Sequence, residues 1–203
     1  MSKTAWINLT DQTVLVEDTD RQLLKDYVGS RGIAAKVLYD NVGPEVEAFD
    51  PENLLIFSTG PLTGTPWPSA ARFTVTSKSP ATGAYGYANS SGFFGPWMRH
   101  AGYDMLIFTG KSEKPVYLVV DGGQIGFHDA SDYWGKETGE TETALLEEYP
   151  GSRVASIGPA GENLVLCASV INDLGRAAGR TGMGAVMGSK NLKAVVVKDA
   201  GKT

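Results

Sequence analysis

Short apolar segments separated by glycine- and proline-rich turns recur along the chain, which predicts many strands and a few short helices. Residues 4–9 and 13–17 alternate apolar and polar side chains and predict a β-hairpin, and residues 116–121 and 124–128, joined by two glycines, predict another. A short helix is predicted to begin near Pro96. The remaining predicted strands cover residues 53–59, 72–78, 84–88 and 105–109, and the remaining predicted helices cover residues 21–27, 32–41 and 140–149.

Two glycine-rich segments share one order of predicted elements. Aligning Gly95 with Gly184 superimposes GPWMRHAGYDMLIFT on GAVMGSKNLKAVVVK, including a methionine and an apolar run, and upstream residues 58–64 resemble residues 156–161. Chance similarity between glycine-rich segments is the alternative. The shared order of Gly-Pro turn, strand, glycine loop, short helix and apolar strand favours an internal duplication with pseudo-twofold symmetry. The ligand of such a fold would be two-sided, with one phosphate group for each half.

The segment 172–194 is the strongest candidate for binding an anion. It carries five glycines and two arginines, with no carboxylate after Asp173. Glycine persists where φ is positive or where a ligand approaches the main chain closely, and the guanidinium groups of Arg176 and Arg180 suit phosphate oxygens. Bare amides at a helix start add further donors. The alternative is a glycine-rich turn whose arginines pair with surface carboxylates.

Arg72 lies in a predicted strand of small and apolar residues. No acidic residue lies between Glu52 and Asp104, so Arg72 lacks a partner nearby in the sequence. A strand arginine commonly reaches solvent or pairs with a neighbouring acid. The sequence leaves a ligand-binding role and this ordinary role equally open for Arg72.

The other motifs carry no catalytic chemistry. The sequence GAVMGSK at residues 184–190 reverses the lysine and serine of a phosphate-binding P-loop, and the nearest match to a dinucleotide-binding GxGxxG pattern is one residue out of register. Cys167 lies in an apolar segment that predicts a strand, so we expect a small core residue there. His100 and His128 lack the spacing of metal ligands. We therefore predict a cofactor-binding unit without a catalytic residue of its own.

Composition and charge restrict the class of protein. The chain has 203 residues, 42% of them hydrophobic, which is enough for the core of one domain. A net charge of −5 argues against nucleic acid as a partner, and one cysteine forms neither a disulfide framework nor an iron–sulfur site. We expect no signal peptide, no membrane span and a cytoplasmic location.

The motifs together resemble the N-terminal domain of the aldehyde ferredoxin oxidoreductases, tungsten enzymes that hold their metal between two pterin dithiolenes. The resemblance covers nearly the whole chain, and its motifs occur in the family's order. They are GSRGIAAKVLYD (29–40), GPLTGT (60–65), ARFTVTSKSPATG (71–83), YANSSGFFG (87–95), HAGYD (100–104), SIGPAGENLV (156–165) and NDLGRAAGRTGMGAVMGSKNLKA (172–194).

This resemblance implies an α+β fold: a β-rich base of two related sheet halves with short helices, forming a pseudo-twofold saddle for a bis-pterin cofactor. It places Arg72 between a pterin and an iron–sulfur cluster, and it assigns backbone carbonyls of Asn89 and Ala177 to a magnesium ion that bridges the pterin phosphates. The resemblance also implies that Arg176 binds pterin or phosphate and that Ser91, which takes the place of a glycine more usual in this family's loop, is a cofactor-binding residue. The glycines that we expect to support these contacts are Gly92, Gly95, Gly179, Gly182 and Gly184.

The resemblance also implies that residues 1–203 form the tungstopterin-binding domain of a longer enzyme, whose helical C-terminal domains supply the ligands of a [4Fe–4S] cluster. That enzyme oxidises aldehydes to carboxylic acids with ferredoxin as electron acceptor, and the isolated domain is expected to be inactive. Tungsten or molybdenum, the substrate and a homodimer are left open. The alternative is a non-catalytic binding or scaffold module whose glycine loops hold a nucleotide or a partner subunit.

Overall fold

The computed structural model describes residues 3–199. The strands are β1 (Lys3–Asn8), β2 (Thr13–Asp18), β3 (Leu55–Thr59), β4 (Phe73–Lys78), β5 (Tyr85–Ser90), β6 (Tyr103–Thr109), β7 (Val116–Asp121), β8 (Gln124–Asp129), β9 (Ser152–Ser156), β10 (Val170–Asn172), β11 (Arg176–Ala178) and β12 (Leu192–Lys198). The helices are α1 (Arg21–Tyr27), α2 (Arg31–Asn41), α3 (Phe94–His100), α4 (Thr138–Glu148), α5 (Pro159–Glu162) and α6 (Met183–Ser189).

The strands form two six-stranded sheets with the same topology. The first sheet has the order β2-β1-β6-β3-β4-β5, and the second has the order β8-β7-β12-β9-β10-β11. In each sheet a hairpin starts the half, its first strand pairs in parallel with the last strand, and all other pairs are antiparallel. Because order and direction agree at every position, the predicted internal duplication with pseudo-twofold symmetry and the predicted α+β class are confirmed.

The duplication extends to an irregularity in the strand pairing. The parallel pair in each half skips one residue of the last strand, Asp104 in β6 and Lys193 in β12. Both residues are buried, and they carry opposite charges. Asp104 pairs with Arg99, whereas Lys193 pairs with Glu162 at 2.5 Å. The backbone irregularity is therefore common to both halves, while each half neutralises its buried charge in its own way.

A single core joins the two halves. The inner faces of both sheets pack with α3 and α6, and α3 touches strands of both sheets. Met98 of α3 and Met187 of α6, which the sequence alignment places together, are both fully buried. The outer face of the first sheet is covered by α2 and that of the second by α4. The sheets are thus held rigidly at the point where their edge strands meet. Among residues 3–199 no helix has the length and apolarity needed to cross a bilayer.

Two local predictions are wrong. We predicted a strand at residues 164–170, but residues 164–169 form a loop and only Val170 belongs to a strand. This loop exposes Cys167, which we expected in the core. The segment 172–194 contains a strand that the sequence pattern does not predict, because Arg176 and Ala177 lie in strand β11. The loop at 164–169 folds back through hydrogen bonds from Val165 N to Ala160 O and from Ala168 N to Val165 O, and β11 forms by pairing with β10.

Candidate cofactor-binding site

The edge strands β5 and β11 of the two sheets lie against each other and enclose a surface cavity. The cavity has a volume of about 350 Å³. It is lined by Tyr87, Asn89, Ala177, Gly179 and Arg180. Residues from both halves therefore share one site on the pseudo-twofold axis.

Asn89 and Ala177 occupy equivalent positions in the two halves. Asn89 pairs with Thr74 across β4 and β5, and Ala177 pairs with Ile171 across β10 and β11. Thr74 and Ile171 in turn pair with Ser58 and Ser156, the serines that precede the two Gly-Pro turns. The two backbone segments predicted to bind one magnesium ion are thus brought together by symmetry.

Arg72 lines a different cavity and reaches this one through Asn89. Its Nη1 donates a hydrogen bond to Asn89 Oδ1 at 2.5 Å, and its backbone carbonyl accepts one from Thr63 Oγ1 at 2.9 Å. Thr63 is buried, and its Oγ1 also accepts a hydrogen bond from Gly60 N, so the Gly-Pro turn fixes the main chain of Arg72. Hydrogen bonds therefore hold both the main chain and the guanidinium of Arg72, although the residue is exposed to solvent.

Arg176 and Ser91 are joined across the two halves. Arg176 Nη1 donates to Ser91 Oγ at 2.8 Å. The two side chains border a larger groove of about 540 Å³ that is walled by Trp67, Phe93 and Trp97. The five residues predicted to bind the cofactor thus line three surface cavities. The Arg72–Asn89 hydrogen bond connects two of these cavities, and the Arg176–Ser91 hydrogen bond lies at the third. Serine in place of glycine at position 91 supplies a hydroxyl that holds an arginine.

Four exposed arginines converge on this surface. Arg72, Arg176 and Arg180 were candidates from the sequence, whereas Arg31 was not. Arg31 Nη1 donates to the Tyr87 hydroxyl at 3.0 Å, and its guanidinium lies 5.2 Å from the centre of that ring. The sequence does not predict a role for Arg31, because the residues next to it at the start of α2 carry no pattern of a binding site.

None of these four arginines forms an ion pair with a carboxylate among residues 3–199. A protein with net charge −5 therefore has four arginines without an ion pair at the junction of its halves, and the Asp173 carboxylate beside Arg176 pairs with Arg153 instead. Converging guanidinium groups without carboxylates suit phosphate oxygens. This surface fits the diphosphorylated cofactor implied by the resemblance, and it argues against the alternative in which Arg176 and Arg180 pair with surface acids.

A buried network holds the loop that carries Ser91. Ser90 Oγ donates to Asn172 Oδ1 at 2.7 Å, and Asn172 Nδ2 donates to Ser91 O at 2.8 Å. Asp173 accepts from Phe93 N at 2.7 Å. The β10–β11 turn is anchored in addition by buried Glu142, which accepts a hydrogen bond from Leu174 N at 2.9 Å. Burial raises the pKa of Glu142 to about 6, and the nearby Asp173 carboxylate adds to the effect.

Gly184 in the second half, and the equivalent Gly95 in the first, serve close packing of a helix. The Gly184 amide donates to Ala168 O at 2.9 Å, so it is not a free donor at a helix start. A Cβ at Gly184 would lie 2.5 Å from Ser169 O, and one at the equivalent Gly95 would lie 3.1 Å from Ala71 O. In both halves the missing side chain lets a helix approach the preceding loop. The expectation of a bare amide is therefore wrong at Gly184.

Comparisons with known proteins agree with this geometry. A family model described as "Aldehyde ferredoxin oxidoreductase, N-terminal domain" matches residues 4–199. Tungsten-containing aldehyde ferredoxin oxidoreductases from Pyrococcus furiosus and Pyrococcus abyssi are 49% and 50% identical over 194 residues, which is 95% of this chain and 32% of each relative. An aliphatic sulfonate oxidoreductase, WOR-like subunit, from Pyrococcus furiosus is 35% identical over 96% of this chain and 34% of that protein.

A solved structure has the same fold. A chain of the active-site complex BamBC of benzoyl coenzyme A reductase, in complex with 1,5-dienoyl-CoA, superimposes with a TM-score of 0.96 at 41% identity. The match covers 99% of this chain and 31% of that one. This chain thus spans about a third of the length of the relatives that it matches. The matches favour the cofactor-domain interpretation over the scaffold alternative.

Proposed function

Because this chain belongs to the aldehyde ferredoxin oxidoreductase family, as its N-terminal domain, we propose that it binds a tungsten or molybdenum bis-pterin cofactor on the surface between β5 and β11. The observation that carries the proposal is that Asn89 and Ala177, at equivalent positions of the two sheets, line one cavity beside arginines without carboxylate partners. A two-sided ligand with one phosphate on each side matches both features.

The residues of this chain bind and orient the cofactor. Arg176, held by Ser91, and Arg72, held by Asn89, would contact the phosphates or pterins, and Arg180 would add charge at the cavity wall. Backbone carbonyls of Asn89 and Ala177 would bind the magnesium ion that bridges the phosphates. Oxygen donors suit magnesium, which is bound to proteins chiefly together with phosphate oxygens.

The bound metal dithiolene supplies the redox chemistry, and the protein supplies position and electrostatics. In the proposed reaction an aldehyde and water give a carboxylic acid, two protons and two electrons, and the electrons pass to ferredoxin through a [4Fe–4S] cluster. The ligands of that cluster would come from outside residues 1–203, which contain one cysteine. The role of this domain is therefore to hold the cofactor in a fixed geometry.

The proposal is tested by replacing one arginine of the site in the intact protein. Arg176→Ala should lower the pterin and magnesium that co-purify with the protein and should lower aldehyde oxidation in parallel. Arg21→Ala is the matched control, because Arg21 is also exposed and forms no ion pair among residues 3–199 but lies at the start of α1. Equal pterin and magnesium content in both variants and in wild type would contradict the proposal.

A further inference from the structure

Asn89 and Ala177 occupy equivalent backbone positions in the two halves, but their side chains differ. We propose that the side-chain amide of Asn89 is a positioning group that fixes the Arg72 guanidinium at the edge of the cavity. The inference rests on the proposed function, because the cavity is taken to hold a phosphate-bearing cofactor. It assigns the asparagine side chain a task separate from that of its backbone carbonyl.

The pseudo-twofold symmetry separates these two tasks. If a backbone carbonyl is what each half contributes at this position, alanine is sufficient, as Ala177 demonstrates in the second half. Asparagine is disfavoured in strands, and residue 89 is exposed, so core packing does not require it. The amide must be explained by what it contacts. Its one hydrogen bond among residues 3–199 is the one that it accepts from Arg72.

A neutral amide is suited to orienting an arginine that must stay available to an anion. A carboxylate at position 89 would form an ion pair with Arg72 and compete with a phosphate for it. The Asn89 oxygen restricts the guanidinium without neutralising its charge, and Thr63 restricts the main chain at the other end. An arginine side chain loses rotamer entropy when a ligand orders it, so orienting it before binding lowers that cost.

The remaining polar atom of Asn89 strengthens the assignment. With Oδ1 accepting from Arg72, Nδ2 keeps its donors, and it has no hydrogen-bond partner within residues 3–199. Asn89 lines the cavity, so these donors are available to an anionic oxygen beside the Arg72 guanidinium. A single amide thus fixes one donor group and presents another.

A double-mutant cycle on the cofactor-loaded intact protein tests the inference. The rate of pterin release under mild heat is measured by pterin fluorescence for wild type, Asn89→Ala, Arg72→Ala and the double variant. Asn89→Ala, which copies Ala177, should accelerate release about tenfold, the effect of losing one hydrogen bond to a charged group. In the Arg72→Ala background the same change should have a clearly smaller effect than in wild type, because the hydrogen-bond partner is already absent and only the Nδ2 donor is left to lose.

Two further variants separate positioning from folding. Asn163→Ala removes an exposed amide that donates to Pro159 O in its own helix, and it should leave the release rate unchanged. Asn89→Asp places a negative charge beside Arg72 and should lower the midpoint potential of the bound metal, a shift that reduced folding stability does not produce. An unchanged potential in this variant would overturn the inference.

The outcomes distinguish the inference from the proposed function. The positioning role would be overturned if Asn89→Ala released pterin at the wild-type rate. It would also be overturned if the rate increases caused by Asn89→Ala and by Arg72→Ala multiplied in the double variant. Both outcomes leave the cofactor site intact. Wild-type protein that carries no pterin would instead contradict the proposed function itself.

Discussion

The carboxylate of Asp173 accepts a hydrogen bond from the backbone N–H of Phe93 at 2.7 Å, which ties the turn of the second half to the loop of the first. A second link joins the β4–β5 turn to the second half, because Ser79 Oγ donates to Thr181 O at 2.8 Å. In both links a donor of the first half bonds to an acceptor of the second half. Asn89 and Ala177 keep their mutual position through these two links.

We expect Asp173→Ala to destabilise the fold by about 2 kcal/mol, because it removes the charged acceptor of the Phe93 backbone N–H together with a partly exposed ion pair to Arg153. Chemical denaturation with the free energy of unfolding as readout measures the effect. Asp132→Ala is the control, since Asp132 is exposed. Equal stability of the two variants would show that the link between the halves contributes nothing.

The second prediction concerns Glu142, whose folded-state pKa is raised to about 6 from an ordinary 4.5 by burial. The folded protein then binds a proton more tightly than the unfolded chain, so this group lowers stability as the pH rises from about 4.5 to 6. Glu142→Gln keeps an acceptor for Leu174 N without a titrating charge. The variant should gain about 2 kcal/mol relative to wild type across that range. Parallel stability curves from pH 4 to 7 would contradict this.

Lys190 should produce the opposite dependence at high pH. Its side chain is 1% exposed and donates to Pro51 O and Gly110 O, and burial lowers its pKa to about 8. Between about pH 8 and 10.5 the unfolded chain binds more protons than the folded protein, so stability rises with pH. Lys190→Met should remove this rise, whereas Lys111→Met, at an exposed position, should retain it. A rise of equal size in both variants would refute the assignment.

Glycine at the second residue of a helix should matter in α6 but not in α4. Gly184→Ala would bring a Cβ within 2.5 Å of Ser169 O, and we expect a loss of roughly 2 kcal/mol or more. Gly139→Ala has open space around the new methyl group and should be neutral or stabilising by up to about 1 kcal/mol. Thermal unfolding distinguishes the two. Similar melting temperatures would mean that the close approach of α6 to its loop is not required.

The duplication was predictable from the sequence because it rests on local order. Gly-Pro turns, apolar strands and the methionines Met98 and Met187 recur at matching positions, and the structure places them at equivalent points of two sheets. Periodicity and turn residues carry this kind of information directly.

The contacts that complete the site were not predictable in the same way. Arg31 joins it through Tyr87, which is 56 residues away, and Asp173 reaches Phe93 over 80 residues. Cys167 was assigned to the core because its neighbours are apolar, yet the loop that contains it is exposed. Local pattern does not encode which loops meet across the junction of two sheets, and tertiary contacts override propensity there.

The content of metal and pterin in the intact protein tests the central claim most directly. Protein purified from a host supplied with both tungstate and molybdate should contain tungsten or molybdenum with two pterins per metal atom, and denaturation should release the pterin. Folded wild-type protein that contains neither metal and releases no pterin under these conditions would contradict the assignment of the surface between β5 and β11 as a metallopterin site.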